Sequence, residues 1–141
     1  MSLERLVYIS ESRIEAADVE TAIARLVRVS SARNACLTLT GALLFTGSHF
    51  AQILEGPPES IELVLTAISI DTRHANIIVT ARHPITARIF SGWQMAYHGR
   101  SQYVARHVTE LLGNHSQTIQ RRLTDRLTQM LLEFAAKPNN L

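Results

Sequence analysis

A single cysteine, Cys36, is all the thiol that 141 residues carry, so no intrachain disulfide can form. A fold without such staples suits a reducing compartment. Lysine is nearly absent as well: thirteen of the fourteen basic residues are Arg, scattered from Arg5 to Arg126. Only Arg121, Arg122 and Arg126 cluster, on an expected helix. With a net charge of +2 and 6% aromatics, no basic stripe with interleaved rings appears, and a nucleic-acid partner is not expected. No stretch of about 18 apolar residues exists, so no membrane span is expected. Met1–Arg5 opens no long apolar run and reads as no signal peptide. A cytoplasmic location follows as the expectation.

The common catalytic signatures are missing too. Six histidines are present, none at HExxH spacing, and one cysteine makes no zinc site of the usual kinds. Neither GxGxxG nor GxxxxGK[ST] occurs, and no GxSxG elbow. Cys36 is expected in an apolar, buried setting, which argues against a nucleophile.

What is present is a chain of one-domain size, 46% apolar. Leu3–Ser10 reads as a central strand, with Leu6 and Tyr8 on one face and Val7 and Ile9 on the other. Asp18 is a plausible N-cap after the polar Glu11–Ala17 connection, and Val19, Ala22, Ile23, Leu26 and Val27 then recur at helical spacing to about Ala32. Thr38–Phe45 and His49–Glu55 flank Thr46-Gly47-Ser48 and read as a hairpin. Gly56-Pro57-Pro58 breaks the strand and starts a helix striped by Ile61, Val64, Leu65 and Ile68. Asp71-Thr72-Arg73-His74 is a polar turn. Asn76–Ala81 and Gly92–His98 are two more strands, the last with Trp93, Met95 and Tyr97 on one face.

The order β-α-β-β-α-β predicts an α+β, ferredoxin-like fold with a fifth strand. Both helices cover one sheet face. Two C-terminal helices, striped by Val104, Val108, Leu111 and Leu112 and by Ile119, Leu123, Leu127, Met130, Leu131 and Phe134, are expected on the other. Pro138-Asn139-Asn140 reads as a frayed end. Residues 1–98 are expected to hold the strands and residues 99–141 a helical extension, with one domain the simplest account.

Three polar side chains stand out. Tyr8 lies mid-strand, where its hydroxyl needs a partner. Gln52 interrupts an apolar strand, and a buried carboxamide is costly to leave unpaired. The first and third strands are neighbours in this topology, which places Tyr8 near Gln52. Asn34 follows at the end of the first helix. Each has a plainer reading: a core tyrosine, a satisfied core amide, a helix C-cap.

The sequence resembles the BLUF family (blue-light sensing using flavin). The resemblance rests on Leu6-Val7-Tyr8, Ala32-Arg33-Asn34 and Leu39-Thr40-Gly41-Ala42-Leu43-Leu44-Phe45. It continues in Phe50-Ala51-Gln52-Ile53-Leu54-Glu55-Gly56-Pro57, Asp71-Thr72-Arg73-His74 and Arg88-Ile89-Phe90-Ser91-Gly92-Trp93-Gln94-Met95. Departures are a longer stretch between Tyr8 and Asn34, and Leu39 and Phe45 where the family often has Ile and Tyr.

The resemblance implies a flavin, FAD or FMN, held non-covalently between the two helices over the sheet. Asn34 would pair with its polar edge, Ile23 and Phe50 would pack near the ring, and Arg73 and His74 would lie near the ribityl or phosphate end. Tyr8 and Gln52 match the photoactive pair. Tyr8 would give an electron to the excited ring, a proton would follow through Gln52, and recombination would leave the Gln52 amide reoriented or tautomerised. Absorption then shifts to the red and reverts thermally. Trp93 and Met95 match the output strand. With about forty residues after residue 98, the reading expects no catalytic effector. It expects a sensor, not an enzyme, that acts on a partner protein or as a homo-oligomer. Two other readings are a flavin-dependent redox enzyme and a flavin-free interaction protein.

Overall fold

The computed structural model describes residues 2–137. The expectation for Pro138-Asn139-Asn140 lies outside them. Five strands form one sheet in the order β4-β1-β3-β2-β5. β1 is Leu3–Ser12, β2 Thr40–Phe45, β3 His49–Gly56, β4 His74–Ile85 and β5 Trp93–His98. β1 pairs antiparallel with β3 and β4, β2 antiparallel with β3, and β5 parallel to β2. This is the expected ferredoxin-like arrangement with a fifth strand.

α1 (Val19–Cys36) and α2 (Pro58–Ser69) cover one face. Leu6, Tyr8 and Leu54 meet Ile61, Val64 and Ile68 of α2 there. Leu43, Phe45 and Phe50 meet Ile23 and Leu26 of α1. Pro58 opens α2 where a missing N–H costs nothing. α3 (Gln102–Thr109) and α4 (Gln117–Ala136) cover the other face. Val7, Ile9, Ala42, Leu44, Ala51 and Ile53 pack there against Val104, Val108, Leu111, Leu127, Met130 and Leu131. Ser101 and Ser116 cap the two helices, accepting from the Val104 and Ile119 amides. The alternation of β1 and β3 thus serves two separate cores.

Several local expectations shift. α1 runs to Cys36, four residues past the expected end, because its buried stripe turns polar: Ile23 and Leu26 give way to Ser30 and Asn34 at the same spacing. Asn34 is therefore inside the helix, and Leu37 is the C-cap. Asp18 holds the N-cap position of α1 without a side-chain capping bond. Cys36 is exposed, contrary to the expected buried setting, because it falls on the outer side of the last helical turn. β4 is an edge strand, so Ile78 and Val79 of its apolar run are 41% and 46% exposed. An irregularity in the β2–β5 ladder pairs Leu43 with Met95 but Leu44 with Tyr97. It sends Tyr97 to the α4 face, where its ring stacks on Phe134, instead of beside Trp93 and Met95.

Gly41 shows why β2 can lie so close to β3. Its φ is +145°, and a Cβ there would sit 1.9 Å from the Ile53 carbonyl oxygen. Only glycine fits.

Candidate functional site

Tyr8 and Gln52 are register partners at the centre of the sheet, on the face under α1 and α2. Both are buried. The Gln52 amide nitrogen donates to the Tyr8 hydroxyl at 2.6 Å. On its other side the Trp93 indole N–H donates to the Gln52 carbonyl oxygen at 2.8 Å. An indole nitrogen can only donate, so it fixes the amide orientation: oxygen toward Trp93, NH2 toward Tyr8. Gln52 therefore bridges β1 and β5 across β2. Burial pushes the Tyr8 phenol above its ordinary pKa, and the Gln52 bond and the Arg33 charge offset only part of this. Tyr8 is a neutral phenol with its own proton still to donate.

Met95 packs one pair of residues along β5, against the cluster of Ile23, Leu26, Leu43, Phe45 and Phe50. The Phe50 ring lies 4.8 Å from that of Phe45 and 4.5 Å from that of His74. Ile23 and Phe50 thus sit together in the cluster under α1.

The polar end of α1 closes the site from above. Asn34 is fully buried, and neither its amide nitrogen nor its oxygen has a hydrogen-bond partner. Arg33 Nε is likewise buried and unpartnered. Burial lowers the Arg33 pKa. Such groups cost free energy, roughly 1–3 kcal/mol each, unless a complementary polar partner meets them.

The turn after α2 supplies the remaining charges. Arg73 pairs with Asp71 at 2.7 Å. Burial opposes charge on Asp71, but the Arg73 hydrogen bonds and charge outweigh it and hold the carboxyl below its ordinary value. His74 opens β4, with its Nδ1 2.8 Å from Ser10 Oγ. Burial lowers its pKa from 6.5 to about 4, so its ring is neutral at pH 7.

Tyr8, Gln52, Arg33, Asp71, Arg73 and His74 line one cavity, with Ser30 and Leu26 of α1. The sequence reading missed Ser30, Arg33 and Asp71. The signal available for Ser30 was a polar residue four positions before Asn34 on the inward stripe of α1. The cavity encloses about 30 Å³. Small-molecule sites usually span roughly 300–1,000 Å³. The expected room for a tricyclic plate is therefore not open, because Leu26, Val29, Ser30 and Arg33 rest over Tyr8 and Gln52.

A second group fixes the approach of Trp93. Glu55 is 0% exposed. It accepts from Arg5 at 2.9 and 2.7 Å and from the Ile89 and Phe90 amides at 3.0 and 2.9 Å. These two amides belong to the loop that leads from β4 into Trp93.

Comparison with known proteins identifies the family. Residues 3–96 match the family model "BLUF: Sensors of blue-light using FAD". The chain belongs to the BLUF family. It is 33% identical over 94 residues to the photoactivated adenylate cyclase subunit beta of Euglena gracilis, a match covering 67% of this chain and 11% of that relative. It thus spans about a tenth of the length of that relative. A dark-state structure of BlrB, a BLUF protein, superposes with a TM-score of 0.63 at 31% identity, covering 89% of this chain and 96% of that one. The photo-activated state of BlsA superposes with a TM-score of 0.76, covering 99% of both chains. At 21% identity it shares the fold, α3 and α4 included. Among the described residues, no helix of this BLUF chain is long and apolar enough to cross a membrane.

The residues present suit a flavin in kind. The unpartnered Asn34 amide offers an acceptor and a donor side by side, the complement of an imide edge. Ile23, Leu26 and Phe50 offer apolar contact, and Arg33 and Arg73 offer cations on the side of α1 toward the α2–β4 turn.

Proposed function

We propose that this BLUF chain is a blue-light photoreceptor that holds a flavin between α1 and α2 and signals by turning the Gln52 amide. The observation that carries this is the hydrogen-bonded bridge from buried Tyr8 and Gln52 to half-buried Trp93. Asn34 would hold the ring's polar edge, Ile23 and Phe50 its apolar plate, and Arg73 and His74 the ribityl or phosphate end. The flavin is FAD or FMN, and the family's description favours FAD. When bound, it supplies a light-activated one-electron oxidant.

The chain's own residues do the rest. Tyr8 is the adjacent electron donor, and burial keeps its proton on until the electron leaves. Gln52 is the only side chain bonded to the Tyr8 hydroxyl among the described residues, and its NH2 faces the phenol, so it can take that proton only after its oxygen has turned toward Tyr8. An amide turned end for end presents its oxygen to Tyr8, which can donate to it. It also presents its NH2 to the Trp93 N–H, and two donors cannot pair. Turning Gln52 thus costs the Trp93 bond and frees β5. The next residue, Gln94, donates to the Ala135 carbonyl at 2.8 Å, so β5 is coupled to the last turn of α4. In this reading residues 1–98 sense and residues 99–141 pass the change on, to a downstream protein or a second copy of the chain. The exposed, unpaired Cys36 thiol suits the reducing cytoplasm.

The test is illumination of the purified, pigmented chain. A reversible red shift without added reductant supports the reading. Bleaching by NAD(P)H with no photoshift indicates a flavin-dependent redox enzyme, and a colourless chain that takes up no flavin indicates an interaction protein.

A further inference from the structure

The loop of residues 86–92 carries β4 into β5 and delivers Trp93 to Gln52. It contains no helix or strand, yet it is tied down at every turn. The Ile89 and Phe90 amides donate to the buried Glu55 carboxylate. The Arg88 guanidinium donates to the Thr38 carbonyl at 2.8 Å, to Thr40 Oγ1 at 2.9 Å and to the Glu55 carbonyl at 2.7 Å. The Gly41 amide donates to the Gly92 carbonyl at 2.9 Å.

Glu55 lies three residues beyond Gln52 on β3, on the opposite sheet face. A carboxylate at a strand end ordinarily points to water. Here it is drawn inward, and Arg5, its register partner on β1, neutralises it. Charge-assisted bonds to a carboxylate are about twice as strong as neutral ones. Breaking one partner of a buried pair is far costlier than the pair is worth, so such an anchor specifies one loop position. The strand that holds Gln52 therefore also holds the segment that presents its indole partner.

We propose that Glu55 and Arg88 are positioning residues that set the Trp93 indole against Gln52 by clamping the β4–β5 loop. The proposal rests on Trp93 being the partner that Gln52 releases. The clamp makes the docked indole the resting arrangement and leaves its bond to Gln52 as the part that switches.

Trp93 is the single tryptophan of the chain, so its fluorescence reports this contact alone. The full chain, kept dark, is compared with Arg88→Met and Glu55→Gln by acrylamide quenching and by amide hydrogen exchange. Arg82→Met is the control. It removes ion pairs to Glu4 and Glu62 on the opposite sheet edge. In Arg88→Met, exchange at Ile89 and Phe90 rises about tenfold, and quenching of Trp93 rises with it. Glu55→Gln does the same, and if it fails to fold, Arg88→Met decides. The control moves neither readout. The proposal is overturned if the Arg88→Met loop exchanges as in the parent chain. It is equally overturned if the loop loosens while Trp93 stays as protected as before, even with a lowered urea midpoint. Neither readout needs a photoshift, so a chain that ignores light would sink the photoreceptor reading and leave this test standing.

Discussion

Tyr8 and Gln52 face each other across the β1–β3 ladder, hydroxyl to amide at 2.6 Å, and both are buried. A bond so placed is set by strand register. A one-residue slip of either strand would put one partner on the opposite face. Predictions follow for ligand retention and acid stability on this face of the sheet, and for the core on the other.

Asn34 is buried with both amide atoms unpaired, a burden to the flavin-free fold. Asn34→Leu keeps the volume and removes the unpaired atoms. We expect the flavin-free chain to gain about 1–2 kcal/mol in urea unfolding while flavin retention on gel filtration is lost. Lost retention with lowered stability would mean that the amide has a structural role instead.

His74 predicts an acid weakness. Its folded pKa of about 4 lies below the ordinary 6.5, so the unfolded chain binds the proton first. Its neutral burial contributes stability that is fully present above pH 6.5 and is lost as pH falls from 6.5 toward 4. The full effect is about 3 kcal/mol at most. Asp71, Arg73 and Arg33 face the ring, and their charges enter the same balance. Urea midpoints at pH 7.5 and 4.5 should separate further in the parent chain than in His74→Gln, and equal separations would contradict this account.

The second core joins the C-terminal helices to the sheet through Leu131, which is 0% exposed. Leu131→Ala should cost about 2–5 kcal/mol in a single cooperative transition followed by circular dichroism. Two separate transitions would show that α4 unfolds independently of the strands.

How far the sequence revealed all this differs by residue. Gln52 was legible because an amide between Ala51 and Ile53 contradicts its own strand. Tyr8 stood out as a mid-strand phenol, and its closeness to Gln52 followed because the topology makes β1 and β3 neighbours. Ser30, Arg33 and Asp71 were not, because a polar residue on a helix or turn reads as solvated until the inward stripe is known. Tyr97 was placed on the wrong face because a break in ladder register has no hydrophobic signature. Glu55 drew no separate reading from the sequence, and its pairing with Arg5 and with the Ile89 and Phe90 amides accounts for its burial.

The most direct measurement is a light-minus-dark absorption spectrum of the pigmented chain beside Tyr8→Phe and Gln52→Ala. The account predicts a reversible red shift in the parent chain. Both variants should keep the pigment and lose the shift. A normal shift in Gln52→Ala would contradict it outright, because no amide would then remain to turn.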